Sequence, residues 1–318
     1  MAVGEFGLIE RFFTQKTLIN SCNRLGVGDD CALLSVPDGY ELAVTTDTMV
    51  ENVHFFPDVD PYSLGYKLLA VNLSDLASMG AEPIAITLAL TLPKVDENWL
   101  SQFSAGLLAL AQYYHIDLIG GDTTTGALTL TVQAMGIIPQ GKALKRSTAQ
   151  AGDLIYLTGY LGDAGLGLKI KQGQWQSSEQ PLTRFNQPTP RIDAGLIIGD
   201  YANACIDLSD GLNSDLSHIL NNSGVGATIN WESLPLSAQV LAYIQQTNDW
   251  QMPLIAGDDY ELCFTIPPEN QPALEQQLKR LDYPCQCIGF INAKQGLRLL
   301  KSDKIQLLTT KGFEHFVS

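Results

Sequence analysis

The feature that most constrains the fold is alternation. Between residues 31 and 138, short β-type apolar runs take turns with helical runs, and Gly, Pro or Asp closes each of them. CALLSV (31–36) and ELAVTT (41–46) flank the turn sequence Pro37-Asp38-Gly39 and predict a β-hairpin. Residues 61–79 have helical spacing and stop at Gly80, with Pro83 just beyond. IAITLALTL (84–92) predicts a buried strand and ENWLSQFSAGLLALAQYY (97–114) a second helix, followed by strands in IDLIGG (116–121) and ALTLTVQAMGII (127–138). The order β-β-α-β-α-β-β, without a solenoid period, predicts a mixed α/β (α+β) architecture.

The alternation breaks once, around 139–152, into Pro, Gly, Lys, Arg, Ser and Thr. A chain of 318 residues exceeds the usual size of a single core, and domains of about 150 residues are the ordinary solution. The break therefore divides the chain into domains at 1–138 and 139–318. In the second, DLIYLTG restarts the strands. Helices are predicted near 162–171, 190–201, 211–221, 237–247 and 269–281, and strands near 204–207, 226–230, 260–266 and 285–290.

Charge and composition remove several function classes. The net charge of −15 disfavours nucleic acid and anionic lipid, which require a basic track. No apolar run approaches the roughly 20 residues of a membrane helix, and the opening MAVGEFGLIERFF lacks a basic export region. The six cysteines are scattered, as expected of a reduced cytoplasmic protein. His54, His115, His218 and His315 show no zinc spacing.

The acidity gathers at particular places. Gly28-Asp29-Asp30, Thr45-Thr46-Asp47, Ser74-Asp75, Gly121-Asp122, Asp207-Leu208-Ser209-Asp210 and Gly257-Asp258-Asp259 each set an Asp at the mouth of an apolar strand or beside a helix. One such Asp serves equally well as an N-cap or an Asx-turn. Six are different: a pair of like charges at about 4 Å costs around 4 kcal/mol even at an effective dielectric of 20, so convergent carboxylates imply a cation. The oxygen-only donor set suits Mg²⁺, which takes one or two carboxylates and fills its shell with water and phosphate oxygens. Where glycine precedes the Asp, as in Gly28-Asp29, Gly121-Asp122 and Gly257-Asp258, backbone amides can approach a phosphate. The sequence contains no GxxxxGK[ST] and no protein-kinase glycine loop, so any ATP binds in another way. The basic pair Lys145-Arg146 lies in the interdomain break, where Arg146 is either a phosphate fork or a solvated linker charge.

GEFGLI, GVGDDCALL, TTDTMVENVHF, YKLLAVNLSDLASMGAEP, LIGGDTT, the lone KRS, TGYLGDAGLGL, IDLSDGLNSDL, GDDYELCF and KGFEHF occur in this order from residue 4 to residue 316. Together they resemble the thiamine-monophosphate kinase family of the wider aminoimidazole ribonucleotide synthetase superfamily. The resemblance implies two α/β domains and a homodimer formed through the N-terminal sheet. It also implies transfer of the ATP γ-phosphoryl group to thiamine monophosphate with the help of several Mg²⁺ ions. By motif, Asp30, Thr45, Thr46, Asp47, Asp75, Asp122, Asp207 and Asp210 would be magnesium ligands, with Asp47, Asp122 and Asp210 acting in catalysis. Gly121, Asp122, Arg146 and Ser209 would meet ATP. His54 would meet the acceptor phosphate, and Asp258 and Phe313 its heterocycles.

Two positions depart from the family pattern. Where the family reads GGED, this chain reads Ala256-Gly257-Asp258-Asp259, and the terminal aromatic is Phe313. Asp259 could have taken over the role of Asp258, or Asp258 could cap the following strand. Phe313 retains a π face for a cationic ring or packs as core. His54 is either a phosphate hydrogen-bond donor or a structural histidine. Two rival functions are another ATP-dependent synthetase of the superfamily and a cation-binding scaffold without activity.

Overall fold

The computed structural model describes residues 5–14 and 18–309. It falls into two compact units, one built on the chain up to Leu76 with Ala81–Gly141, the other on Ala77–Gly80 with Lys142 onward.

In the first unit, a short helix α1 (Glu5–Leu8) runs into a π-helical turn at Ile9–Phe13, and a small antiparallel ladder joins β1 (Asn23–Leu25) to β2 (Leu33–Leu34). The main sheet contains β3 (Tyr40–Val50), β4 (Glu82–Leu92), β5 (Asp117–Thr125) and β6 (Thr129–Pro139) in the order β3-β6-β4-β5. β3 and β6 pair antiparallel along their whole length, from Tyr40 opposite Pro139 to Val50 opposite Thr129. The predicted hairpin between CALLSV and ELAVTT is thus absent. Pro37-Asp38-Gly39 does turn the chain, with Gly39 at φ +81, but β2 pairs with β1 while β3 takes the far longer partner β6. Eleven register positions outcompete the two residues that β2 offers.

Two helices accompany the sheet, α2 (Pro61–Ser78) and α3 (Glu97–Tyr113). Each begins at an aspartate. Asp60 accepts from the Ser63 amide at 2.8 Å, and Asp96 accepts from the Asn98 and Trp99 amides at 3.1 Å. α2 stops where Gly80 adopts a left-handed φ of +71. The helices cross at two glycines: a Cβ at Gly65 would lie 2.0 Å from the Phe103 carbonyl oxygen, and one at Gly106 would lie 1.9 Å from that of Tyr62. Contact that close lets Leu68, Leu69, Leu73, Leu100, Phe103 and Leu107 lose nearly all solvent exposure.

The second unit is built on a seven-stranded sheet: β7 (Leu154–Thr158), β8 (Ala204–Asp207), β9 (Gly226–Asn230), β10 (Leu262–Ile266), β11 (Cys285–Asn292), β12 (Gly296–Lys301) and β13 (Lys304–Leu307). Their order is β13-β12-β9-β11-β7-β10-β8, with β9 and β12 parallel and the other pairs antiparallel. The helices are α4 (Asp163–Lys171), α5 (Glu179–Asn186), α6 (Ile192–Ile198), α7 (Leu212–Ser223), α8 (Ala238–Thr247), α9 (Met252–Ile255) and α10 (Gln271–Leu278). Ile155, Leu157, Ile206, Leu216, Ile219, Ile229 and Leu299 form its main core. Among the described residues no helix is long and apolar enough to cross a membrane.

Candidate active site

In the first unit, strand alternation sets the arrangement. Thr45 and Asp47 sit two apart on β3 and point to the same face, whereas Thr46 is exposed on the other. On α2, Asn72 and Asp75 sit three apart and therefore share a face. The two pairs meet: the Thr45 hydroxyl donates to Asp75, and the Asp47 amide donates to Asn72 Oδ1 at 3.1 Å. Asn72 is fully buried, and its own amide nitrogen donates to the Leu68 carbonyl at 2.9 Å. Burial, and secondarily the charge of Asp75, push the Asp47 carboxyl up to about 6. The structure does not bring the Thr46 side chain to this pair.

A second feature of the same unit is a cavity of about 600 Å³. Gly28, Asp29 and Asp30 line one side and Gly120, Gly121 and Asp122 another, over an apolar floor that includes Phe13, Leu88, Leu90 and Ile119. Ligand pockets of about 300–1,000 Å³ with a few polar groups on apolar walls are ordinary small-molecule sites. Gly121 is there partly for packing, because a Cβ would lie 1.9 Å from the Leu88 carbonyl oxygen on β4. His54 stands in the turn after β3, where its Nδ1 accepts from the Val50 amide at 3.0 Å. That bond assigns the proton of the neutral ring to Nε2, which is the form suited to donate to an anion.

In the second unit, the ladder between β8 and β10 continues past both strand ends. Tyr260 N donates to Leu208 O at 2.8 Å and Asp258 N donates to Ser209 O at 2.9 Å, so the loops bearing Ser209 and Asp258 lie side by side. Gly257 permits it, since a Cβ would lie 2.3 Å from the Ser209 carbonyl oxygen. Asp207, buried, ends β8, and Asp210 follows Ser209 at the head of α7. The Asp210 amide donates to Asp215 at 3.0 Å. Burial pushes Asp215 up to about 7; the amides of Asp210 and Gly211 and the Arg146 charge pull it down, and Asp210 adds to the rise. Arg146 carries an exposed side chain on a backbone that is fixed. Its segment runs along β8, with Lys145 O accepting from Cys205 N at 3.3 Å and Arg146 O accepting from Ser223 Oγ at 3.2 Å.

Asp259 is fully committed to the fold. It is buried, and its oxygens accept from the Gly162 and Ala164 amides at 2.7 and 3.1 Å, capping α4. Burial pushes it up to about 8 against those amides and Arg184. Two residues on, Glu261 is also buried; it accepts two bonds of 2.6 Å from Arg191, one of 3.0 Å from Arg184 and one of 2.8 Å from Thr158. Asp258 is only half-buried and takes a 3.1 Å bond from the Tyr260 hydroxyl. Asp258 at φ +68 and Tyr260 at φ +48 are both left-handed, conformations that cost roughly 1–3 kcal/mol each outside glycine and persist only where the surroundings enforce them.

The fourteen positions singled out in the sequence are therefore distributed: Asp30, Thr45, Asp47, Asp75, Gly121, Asp122 and His54 in the first unit, and Asp207, Ser209, Asp210, Arg146 and Asp258 in the second, with Thr46 turned away and Phe313 outside the described residues. Sequence reasoning passed over Asn72, Asp215, Tyr260 and the Glu261–Arg191–Arg184 cluster. Asn72 was detectable three residues before Asp75; the arginines, 70 and 77 positions from Glu261, were not. Among the described residues no three His, Cys, Asp or Glu side chains group as a metal site. The all-oxygen set of Asp47, Asp75 and Thr45 does fit Mg²⁺, which needs few protein ligands when phosphates complete its shell.

The class follows from comparison with known proteins. The model of the N-terminal domain of AIR synthase related proteins matches residues 28–138, and that of their C-terminal domain matches residues 150–301. A thiamine-monophosphate kinase from Haemophilus influenzae is 49% identical, covering 99% of each chain. A crystal structure of thiamine-monophosphate kinase from Stenotrophomonas maltophilia K279a is 43% identical and superposes with a TM-score of 0.86 over 94% of this chain and 97% of that one. A structure of AaThiL complexed with AMPPCP and TMP is 30% identical, with a TM-score of 0.77 over 99% and 97%. The chain belongs to the AIR synthase related family and, within it, to the thiamine-monophosphate kinases.

Proposed function

We propose that the protein phosphorylates thiamine monophosphate with ATP, giving thiamine diphosphate and ADP. The observation that carries this reading is the 49% identity with a thiamine-monophosphate kinase along essentially the whole of both chains. The AaThiL complex supports the same substrate pair, AMPPCP standing in for ATP. An oxygen of the acceptor phosphate attacks the γ-phosphorus as the bond to the β-phosphate oxygen breaks. That oxygen is ionised at neutral pH, so the chain needs no general base, and its residues position and neutralise instead.

Asp30, Thr45, Asp47, Asp75, Asp122, Asp207 and Asp210 would hold Mg²⁺, directly or through water, with Thr46 offering at most its backbone. Magnesium, when bound, would neutralise the repulsion between the two polyanions. Gly121, Asp122, Arg146 and Ser209 hold the ATP phosphates, and Arg146 forks onto them with its backbone already fixed. Protonated at Nε2, His54 donates to the acceptor phosphate. Asp258 faces the acceptor's heterocycles, because Asp259 is occupied by α4; Phe313 stacks on them. The hydrogen bond between Ser209 and Asp258 would then register donor and acceptor sites against each other. The protein acts as a cytoplasmic homodimer joined through β3, an edge strand whose Tyr40, Leu42 and Val44 are exposed.

The test is incubation with MgATP and, separately, thiamine monophosphate and thiamine, with products separated by chromatography. Thiamine diphosphate should form from the monophosphate alone, because thiamine offers an un-ionised hydroxyl and the site has no base for it. Mg²⁺ binding without any product would leave only a cation-binding scaffold.

A further inference from the structure

We propose that Tyr260 is a positioning residue for the acceptor, its hydroxyl holding the Asp258 carboxylate in the orientation that meets the positively charged heterocycle. The proposal rests on the reading that Asp258 faces the acceptor. Its basis is the alternation along residues 258–261. Asp259 and Glu261 turn inward and are fixed by two amides, two arginines and a threonine, whereas Asp258 and Tyr260 turn outward and are half-buried. The amides of Asp258 and Tyr260 are pinned to Ser209 and Leu208, so the backbone between them cannot slide.

Within that frame both residues keep left-handed backbones, which for a residue as bulky as tyrosine is a genuine outlier. The conformation carries the phenol back over the preceding pair of residues to donate to Asp258 Oδ1 at 3.1 Å. An aspartate has only two side-chain torsions, and holding one oxygen sets the direction of the other. A carboxylate ordered before binding loses no rotamer freedom when the ligand arrives, and the saving appears as tighter acceptor binding. Tyr260 touches neither reacting phosphate in this scheme, so its effect should fall on acceptor affinity and leave turnover alone.

Tyr260→Phe, Asp258→Asn and the double variant test this, with KM measured for each substrate in turn and Tm recorded alongside. Tyr260→Phe should raise KM for thiamine monophosphate about five-fold, the worth of one hydrogen bond, with kcat, KM for ATP and Tm unchanged. In the Asp258→Asn background the same substitution should add nothing, because the two act as a unit. A purely structural tyrosine would instead lower Tm and move both KM values together. If Asp258→Asn raises the acceptor KM while Tyr260→Phe leaves it unchanged, or if the two effects multiply, Tyr260 has no positioning role and the assignment of Asp258 stands. If Asp258→Asn itself leaves the acceptor KM unchanged, the assignment of Asp258 fails and the role of Tyr260 with it.

Discussion

Two sets of carboxylates, one from each unit, stand in opposite settings. In the first, like charge meets like charge: Asp75, which accepts from the Thr45 hydroxyl, acts on Asp47, and burial together with that charge raises Asp47 to about 6. In the second, Glu261 faces two guanidinium groups and Asp259 the amides at the head of a helix. A carboxylate surrounded by donors is satisfied without a ligand and belongs to the fold. One set against another carboxylate is left wanting a cation, and belongs to function. The difference predicts that damage to the second set appears first in stability and damage to the first in turnover.

The largest effect should come from Arg191→Ala. Glu261 is 1% exposed in its side chain and Arg191 9%, so the substitution leaves a buried charge with half its partners. Breaking a buried pair from one side costs about 3–5 kcal/mol. Tm should fall by about 10 °C, and a fall under about 2 °C would erase the distinction between the two sets.

Next come Asp47→Ala and Asp122→Ala, each expected to cut kcat/KM by at least about 100-fold. Stability should stay level or rise in Asp47→Ala, where repulsion from Asp75 is relieved in the metal-free protein, and stay level in Asp122→Ala, where the side chain is exposed. Near-normal turnover would take that residue out of the catalytic set.

The contrast sharpens with pH. A carboxyl raised from 3.8 to about 6 makes the folded chain bind more protons than the unfolded chain between those values. Asp47 therefore favours folding below about pH 4, and that contribution is lost as pH rises through 6, by at most about 3 kcal/mol. In chelator, the Tm of Asp47→Asn relative to the parent protein should be higher at pH 7 than at pH 5. Added Mg²⁺ at pH 7 should raise the parent's Tm more than the variant's. Parallel pH curves would show that neither burial nor Asp75 raises the Asp47 carboxyl in the folded chain.

How much of this was readable beforehand follows the same division. α2, α3, β4 and β6 were legible because each holds one period over ten residues or more, and the aspartates at strand mouths because Gly and Asp recur beside apolar runs. α5, eight residues long, and the short β12 and β13 carry too few periodic positions to register. The false hairpin came from a real turn whose strands had other partners. The Arg191–Glu261 pair depends on a fold that joins positions 70 apart, which no local pattern announces.

The smallest effect is expected where the chain departs from its family, at Asp258→Glu. The added methylene moves the carboxylate by about 1.5 Å. The backbone cannot absorb that shift, since Gly257 is pressed against Ser209 and the inward neighbours Asp259 and Glu261 are fixed. The side chain can, because it is half-buried and leaves the loop on its outer side. The longer carboxylate should outreach the Tyr260 hydroxyl, giving up part of its ordering while regaining the reach of the family residue. These two changes oppose each other, each of the order of one hydrogen bond, so kcat/KM for thiamine monophosphate should remain within about three-fold. A loss beyond about ten-fold would mean that this acceptor site has been rebuilt around the shorter residue, with Tyr260 supplying the hold that a longer carboxylate does not need.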